Sequence, residues 1–148
     1  MNPDFCDMLS AFNEAGVEYL VVGAYALAAH GLVRSTGDID LWVRPTPENA
    51  SRVMRALKMF RAPLGDLTEL DLHTPDIVFQ MGLPPRRINI LTSIANVEFE
   101  EAWADRRLSR VSGIDITVLG RTMLIKKKSA TGRAKDLADV EWLNENPE

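Results

Sequence analysis

Asp38 and Asp40 flank Ile39 within Gly-Asp-Ile-Asp-Leu-Trp-Val, residues 37–43 of a 148-residue chain. This short apolar stretch reads as a strand. Side chains alternate faces along a strand, so the two carboxylates share one face while Ile39 and Leu41 share the other. At a rise of ~3.3 Å per residue their Cβ atoms would lie ~6–7 Å apart, a spacing that lets two acids converge on a hard cation such as Mg²⁺ or Mn²⁺. Fifteen residues before Asp38, Tyr19-Leu20-Val21-Val22 runs into Gly23-Ala24-Tyr25. A strand, a glycine turn and a helix start offer backbone N–H groups to an anion. Arg34, Ser35 and Thr36 add donors just before the acids. A phosphate cradle beside a paired-carboxylate metal seat points to nucleotide chemistry.

The elements that must hold these groups follow from the pattern. Asn2-Pro3-Asp4 marks a helix start, with Phe5, Met8, Leu9 and Phe12 on one face and Gly16 at the end. The first strand is Val17–Val22 and the second Asp38–Val43, with a helix-like Tyr25–His30 between them. Pro45-Thr46-Pro47 opens an amphipathic helix carrying Ala50, Val53, Met54 and Leu57. Residues 61–75 have no clear period and read as loop, with room for one short strand. Strands are expected at Asp76–Gln80 and Arg87–Leu91, separated by a Gly82-Leu83-Pro84-Pro85 turn. A helix at Glu98–Arg106, a strand at Ile114–Leu119 and a helix at Arg121–Ser129 follow. A last helix, Lys135–Leu143, is expected to bury Leu137, Val140 and Leu143. The expected architecture is α/β (α+β): a mixed β-sheet covered by helices, in one domain spanning residues 1–148.

Composition narrows the function classes. The net charge of −4 argues against a protein that coats nucleic acid non-specifically, but leaves room for a local basic patch. One cysteine, Cys6, excludes an internal disulfide, and with two histidines cannot supply a structural zinc tetrad. No apolar run approaches ~18 residues, and Asp4 and Asp7 stand where a secretory leader would be basic. A cytoplasmic protein without a membrane partner is expected. His30 reads as a helix-end cap rather than a catalytic base, and Trp42 and Trp103 as packing residues. Residues 121–135 hold Arg121, Lys126, Lys127, Lys128, Arg133 and Lys135 and no acid. That is either a solvated helix face or a surface for phosphates.

These residues resemble the polymerase-β-type nucleotidyltransferase superfamily, whose signature is a helix opening with Gly-Gly or Gly-Ser and an apolar-flanked Asp-x-Asp downstream. Residues 19–43, Y-L-V-V-G-A-Y-A-L-A-A-H-G-L-V-R-S-T-G-D-I-D-L-W-V, are similar to the small bacterial single-domain branch. That branch is related to the nucleotidyltransferases of toxin–antitoxin and abortive-infection systems. P-P-R-R-I-N-I-L-T-S-I (84–94), F-E-E-A-W (99–103) and L-I-K-K-K-S-A-T-G-R-A-K-D-L-A-D-V (124–140) are similar to it too.

The resemblance implies a nucleotidyltransferase fold binding a nucleoside triphosphate with Mg²⁺ (or Mn²⁺), and transfer of a nucleotidyl group to an RNA or protein acceptor. It further implies a cognate toxin or antitoxin partner. Asp38 and Asp40 would be catalytic metal ligands. Gly23, Ala24, Arg34, Ser35, Thr36, Lys128, Arg133 and Lys135 would bind nucleotide. Asn89 falls where the family keeps its third acid. By alternation Arg87, Asn89 and Leu91 share a face, so Asn89 is expected in the catalytic cleft, with a strand-end polar residue as the alternative. An amide is neutral and cannot act as a base. The departures at Ala24 and Asn89 leave a second reading, a catalytically reduced binding or antitoxin-like subunit.

Overall fold

The computed structural model describes residues 1–34, 37–83 and 86–147. Helix α1 (Pro3–Glu14) begins as the sequence dictates: the Asn2 side chain accepts a hydrogen bond from the Asp4 N–H at 2.7 Å, and Pro3 occupies the first turn. Strand β1 (Tyr19–Val22) leads through Gly23 into helix α2 (Ala24–Ala29), and strand β2 (Ile39–Val43) follows. Thr46 caps helix α3 (Pro47–Phe60), again with proline in the first turn. Strands β3 (Val78–Leu83) and β4 (Arg86–Leu91), helix α4 (Phe99–Ala104), strands β5 (Arg107–Val111) and β6 (Ile114–Val118), and helices α5 (Arg121–Thr131) and α6 (Ala134–Glu145) complete the chain.

The strands form one six-stranded sheet in the order β3-β4-β2-β1-β6-β5. Neighbours β2 and β4, and β1 and β6, run parallel; the other pairs are antiparallel. The sheet is therefore mixed, as the alternation of helices and strands implies. Its face carrying Ile39, Leu41, Met81, Ile88 and Ile90 is buried, with Phe5 of α1 and Phe60 of α3 close to Met81 and Ile88. Helices α1 and α3 pack on each other, α3 on β2 and α1 on β6. Asn49 at the start of α3 is 1% exposed and fully engaged: it accepts from the Glu18 N–H and donates to the carbonyls of Glu18 and Arg44. That side chain pins α3 to the outer ends of β1 and β2.

Four expectations change. Residues 61–75 contain no strand but a 3₁₀ turn, Asp71–His73, around the buried Leu72. Gly82 and Leu83 belong to β3 rather than to a turn, and Pro84 and Pro85 lie outside the described residues. Strand β5 was not expected, because its edge position leaves Leu108 76% exposed and blurs the alternation. The signal for it is Ser112-Gly113, both at positive φ, which joins β5 to β6 as a two-residue hairpin. Last, α6 does not bury Leu137, which is 46% exposed, and Val140 is half-buried; α6 instead buries Asp136, Asp139 and Leu143. Its inner face is chosen by ion pairing as much as by apolar content.

Candidate functional site

Gly23 joins the two halves of the site. It sits at φ 72°, ψ −152°, a backbone conformation reserved for glycine, and a Cβ there would stand 2.6 Å from Oδ2 of Asp40. The close approach follows from register: Val22, just before Gly23, pairs with Asp40 across β1 and β2. On the other side Asp40 pairs with Asn89, and Asn89 with Gln80. Directly paired residues share a face, so Gln80, Asn89 and Asp40 form one lateral row across β3, β4 and β2.

Hydrogen bonds run along this row. Arg87 Nη1 donates to Gln80 Oε1 at 3.2 Å, Gln80 Nε2 to Asn89 Oδ1 at 2.9 Å, and Asn89 Nδ2 to Asp40 Oδ1 at 2.8 Å. Asp38, one residue before β2, accepts the Arg87 backbone N–H at 3.3 Å, and the Arg87 guanidinium Nε is 3.8 Å from the same oxygen. The structure thus sets Asp38, Asp40 and Asn89 on one surface. Gln80 and the charge of Arg87 join them there, and the sequence did not single them out. Alternation places Gln80 opposite Asn89 only once the β3–β4 register is known.

Below Gly23 opens a cleft of about 220 Å³, lined by Gly23, Ala24, Leu27, Arg34, Lys128, Arg133, Lys135 and Asp136. Every described residue expected to bind nucleotide is in this lining. Ser35 and Thr36 lie outside the described residues. Helix α2 is short, but its first N–H groups, at Ala24 and Tyr25, point out of the helix start without intrahelical partners.

Three of the four cations are held by two buried acids of α6. Asp139 accepts from Arg34 at 2.5 Å and from Lys128 at 2.9 Å; Asp136 accepts from Lys128 at 3.1 Å, Arg133 at 2.7 Å and the Thr131 hydroxyl at 2.7 Å. The Thr131 hydrogen bond, with those of Lys128 and Arg133, outweighs burial and draws the Asp136 carboxyl down to about 2. Burial acts to raise Asp139, and its hydrogen bonds from Arg34 and Lys128 more than reverse that, so it too is lowered. Lys127 is half-buried beside this network. Burial and the neighbouring Lys128 charge lower its ammonium pKa, against the opposing pull of Asp40 and Asp136. The other lysine of the run, Lys126, pairs with Glu101 at 2.8 Å and is not in this cleft's lining.

His30 is the C-cap residue of α2, and its ring reaches outside that helix: Nε2 meets the Leu119 carbonyl at 2.9 Å and Nδ1 meets Arg107 at 3.1 Å. Trp42 is buried edge-on against Phe99, on which Trp103 stacks. Among the described residues no group of three or more His, Cys, Asp or Glu could hold a metal. Asp38 and Asp40 offer two carboxylates here, while the amide oxygen of Asn89 is turned to Gln80. That carboxylate pair suits one Mg²⁺, which commonly takes one or two carboxylates together with phosphate oxygens and water. The bare Cα of Gly23 lets Oδ2 of Asp40 pack directly against the turn.

No family model and no curated protein matches the chain. Its backbone is similar to that of a presumptive nucleotidyltransferase from Thermotoga maritima, solved by crystallography at 1.87 Å. The TM-score is 0.60 at 18% identity, over 95% of this chain and 91% of that one. The mixed six-stranded sheet with its helices is a nucleotidyltransferase-like fold. Among the described residues no helix is long and apolar enough to cross a membrane.

Proposed function

We propose that this protein binds a nucleoside triphosphate with Mg²⁺ or Mn²⁺ and transfers its nucleotidyl group to an RNA or protein acceptor. One observation carries the reading: Gly23 lies against Asp40 and also lines the cation-rich cleft, so a triphosphate in the cleft reaches the carboxylate row. Backbone N–H groups at the start of α2 and the side chains of Arg34, Lys128, Arg133 and Lys135 hold the β- and γ-phosphates. Asp38 and Asp40 would hold the metal through their carboxylates, and the ion would supply positive charge to offset that of the phosphates and the leaving pyrophosphate. The acceptor oxygen forms its bond to the α-phosphorus as the α–β bridge breaks. Asn89 cannot take the acceptor's proton, which passes to solvent or to a phosphate oxygen.

The resemblance of residues 84–94, 99–103 and 124–140 to the small single-domain branch, itself related to the nucleotidyltransferases of toxin–antitoxin systems, supports a role beside a cognate toxin or antitoxin protein in the cytoplasm. Transfer of α-labelled nucleotide to RNA or protein tests the activity. The label should move with wild type and not with Asp38→Ala or Asp40→Ala. Movement of γ-label instead would replace nucleotidyl transfer by phosphoryl transfer.

A second reading, a catalytically reduced binding or antitoxin-like subunit, draws on the hydrogen bond from Asn89 to Asp40. It places a neutral donor where the resembled family has a third acid. Transfer by Asn89→Asp alone, with none by wild type, would favour this reading.

A further inference from the structure

We propose that the centre at Asp38 and Asp40 accepts one divalent cation per nucleotide rather than two, because Asn89 is held as a hydrogen-bond donor to Asp40. The inference rests on the cation seat proposed above and concerns how many ions that seat takes.

The orientation of Asn89 is dictated from both ends of its row. A guanidinium only donates and an ionised carboxylate only accepts. Arg87 therefore fixes Oε1 of Gln80 toward itself, which leaves Nε2 of Gln80 to donate to Oδ1 of Asn89. Asp40 fixes Nδ2 of Asn89 toward its own Oδ1. Turning either amide would set N–H against N–H at one contact and oxygen against oxygen at the next. The Asn89–Asp40 contact is the stronger constraint, since it is partly buried and its acceptor is charged, whereas Gln80 is exposed.

This arrangement withholds a second ion in two ways. An amide ligates a hard cation through oxygen only, and the oxygen of Asn89 is engaged with Gln80. The N–H directed at Asp40 also engages Oδ1, while Oδ2 packs against Gly23. Charge acts the same way. Asp38 and Asp40 supply two negative charges, and the Arg87 guanidinium already lies 3.8 Å from Asp38. A second dication would face a neutral side chain in place of a third negative one.

The test counts Mn²⁺ bound by the full chain in the presence of a non-hydrolysable ATP analogue, by electron paramagnetic resonance and calorimetry. Wild type should bind one ion and show no Mn–Mn spin coupling. Asn89→Asp, folded by circular dichroism, should bind two and show that coupling. Two coupled ions in wild type would overturn the inference while leaving the seat intact. One ion in folded Asn89→Asp would overturn the assignment of the exclusion to Asn89. If wild type with analogue bound no Mn²⁺, the seat itself would fall, a result separate from either of these. The wild-type count decides the stoichiometry even if Asn89→Asp does not fold.

Discussion

Gly23 and Asp40 are in such close contact that no side chain fits between them: a Cβ on Gly23 would lie 2.6 Å from Oδ2 of Asp40. The contact links a backbone turn to a carboxylate that hydrogen bonding already holds from its other oxygen. Gly23→Ala combines this clash with a φ of 72° and ψ of −152°. It should destabilise the fold by about 1–3 kcal/mol and abolish nucleotide binding. Urea denaturation and a nucleotide titration check the two effects, and an alanine variant with wild-type affinity would sever the cleft from the carboxylate row.

Asp139 is 3% exposed and accepts from both Arg34 and Lys128. Asp139→Asn should cost about 2–3 kcal/mol, because two cations lose a charged acceptor in a partly buried setting. It should also weaken nucleotide binding, since Arg34 and Lys128 line the cleft. Chemical denaturation beside a binding isotherm would show both losses together.

Acid should act through the same network. The Asp136 carboxyl is lowered from 3.8 to about 2 in the fold. A depressed folded pKa means the contribution is complete above the unfolded value and is lost as pH falls through the folded one. The stability difference between wild type and Asp136→Asn should therefore be constant above about pH 5, shrink below pH 4 and vanish near pH 2. Denaturation midpoints for the two proteins across that range measure it, and a difference that grew on acidification would contradict the assignment.

Lys135 offers the clearest view of cation–phosphate contact. It is exposed, lines the cleft, and makes no ion pair among the described residues. Lys135→Ala should leave stability unchanged and weaken triphosphate binding about 3–10-fold, with a shallower salt dependence. Lys128→Ala should lower stability as well, because Lys128 bridges Asp136 and Asp139. An unaltered affinity and salt slope in Lys135→Ala would remove this residue from the phosphate site.

Restoring the small residue that the resembled family favours after Gly23 gives one further expectation. Ala24→Gly removes a methyl from the cleft lining and should tighten triphosphate binding by about two- to fivefold. It should also cost about 0.5–1 kcal/mol of stability through the lower helix propensity of glycine. Parallel titrations and melts would separate the gain from the loss.

The carboxylate pair, the glycine turn and the capped helices were legible in the sequence because each is a local matter. Alternation puts Asp38 and Asp40 on one face whatever the strand pairs with, and Asn2 or Thr46 followed by proline opens a helix wherever it lies. Strand β5 escaped because its half-buried face carries Arg107, Ser109 and only one apolar residue, Val111, while Leu108 stands in solvent, although Ser112-Gly113 marked its hairpin. The buried face of α6 was misjudged for a related reason. Periodicity assumes that apolar residues turn inward, whereas Asp136 and Asp139 are drawn in by Arg34 from a distant part of the chain, Lys128 of α5 and Arg133 at the start of α6.

The amino-acid order alone thus determined which chemical groups this protein has and which of them, a few residues apart, share a surface. Only the tertiary structure decided that Gln80 meets Asn89, that Asn89 donates to Asp40, and that Arg34 shares Asp139 with Lys128. Those contacts join residues up to 105 positions apart, and their existence depends on strand register and helix docking. Short-range preference sets the turn and the pleat; long-range burial and charge pairing choose the partners.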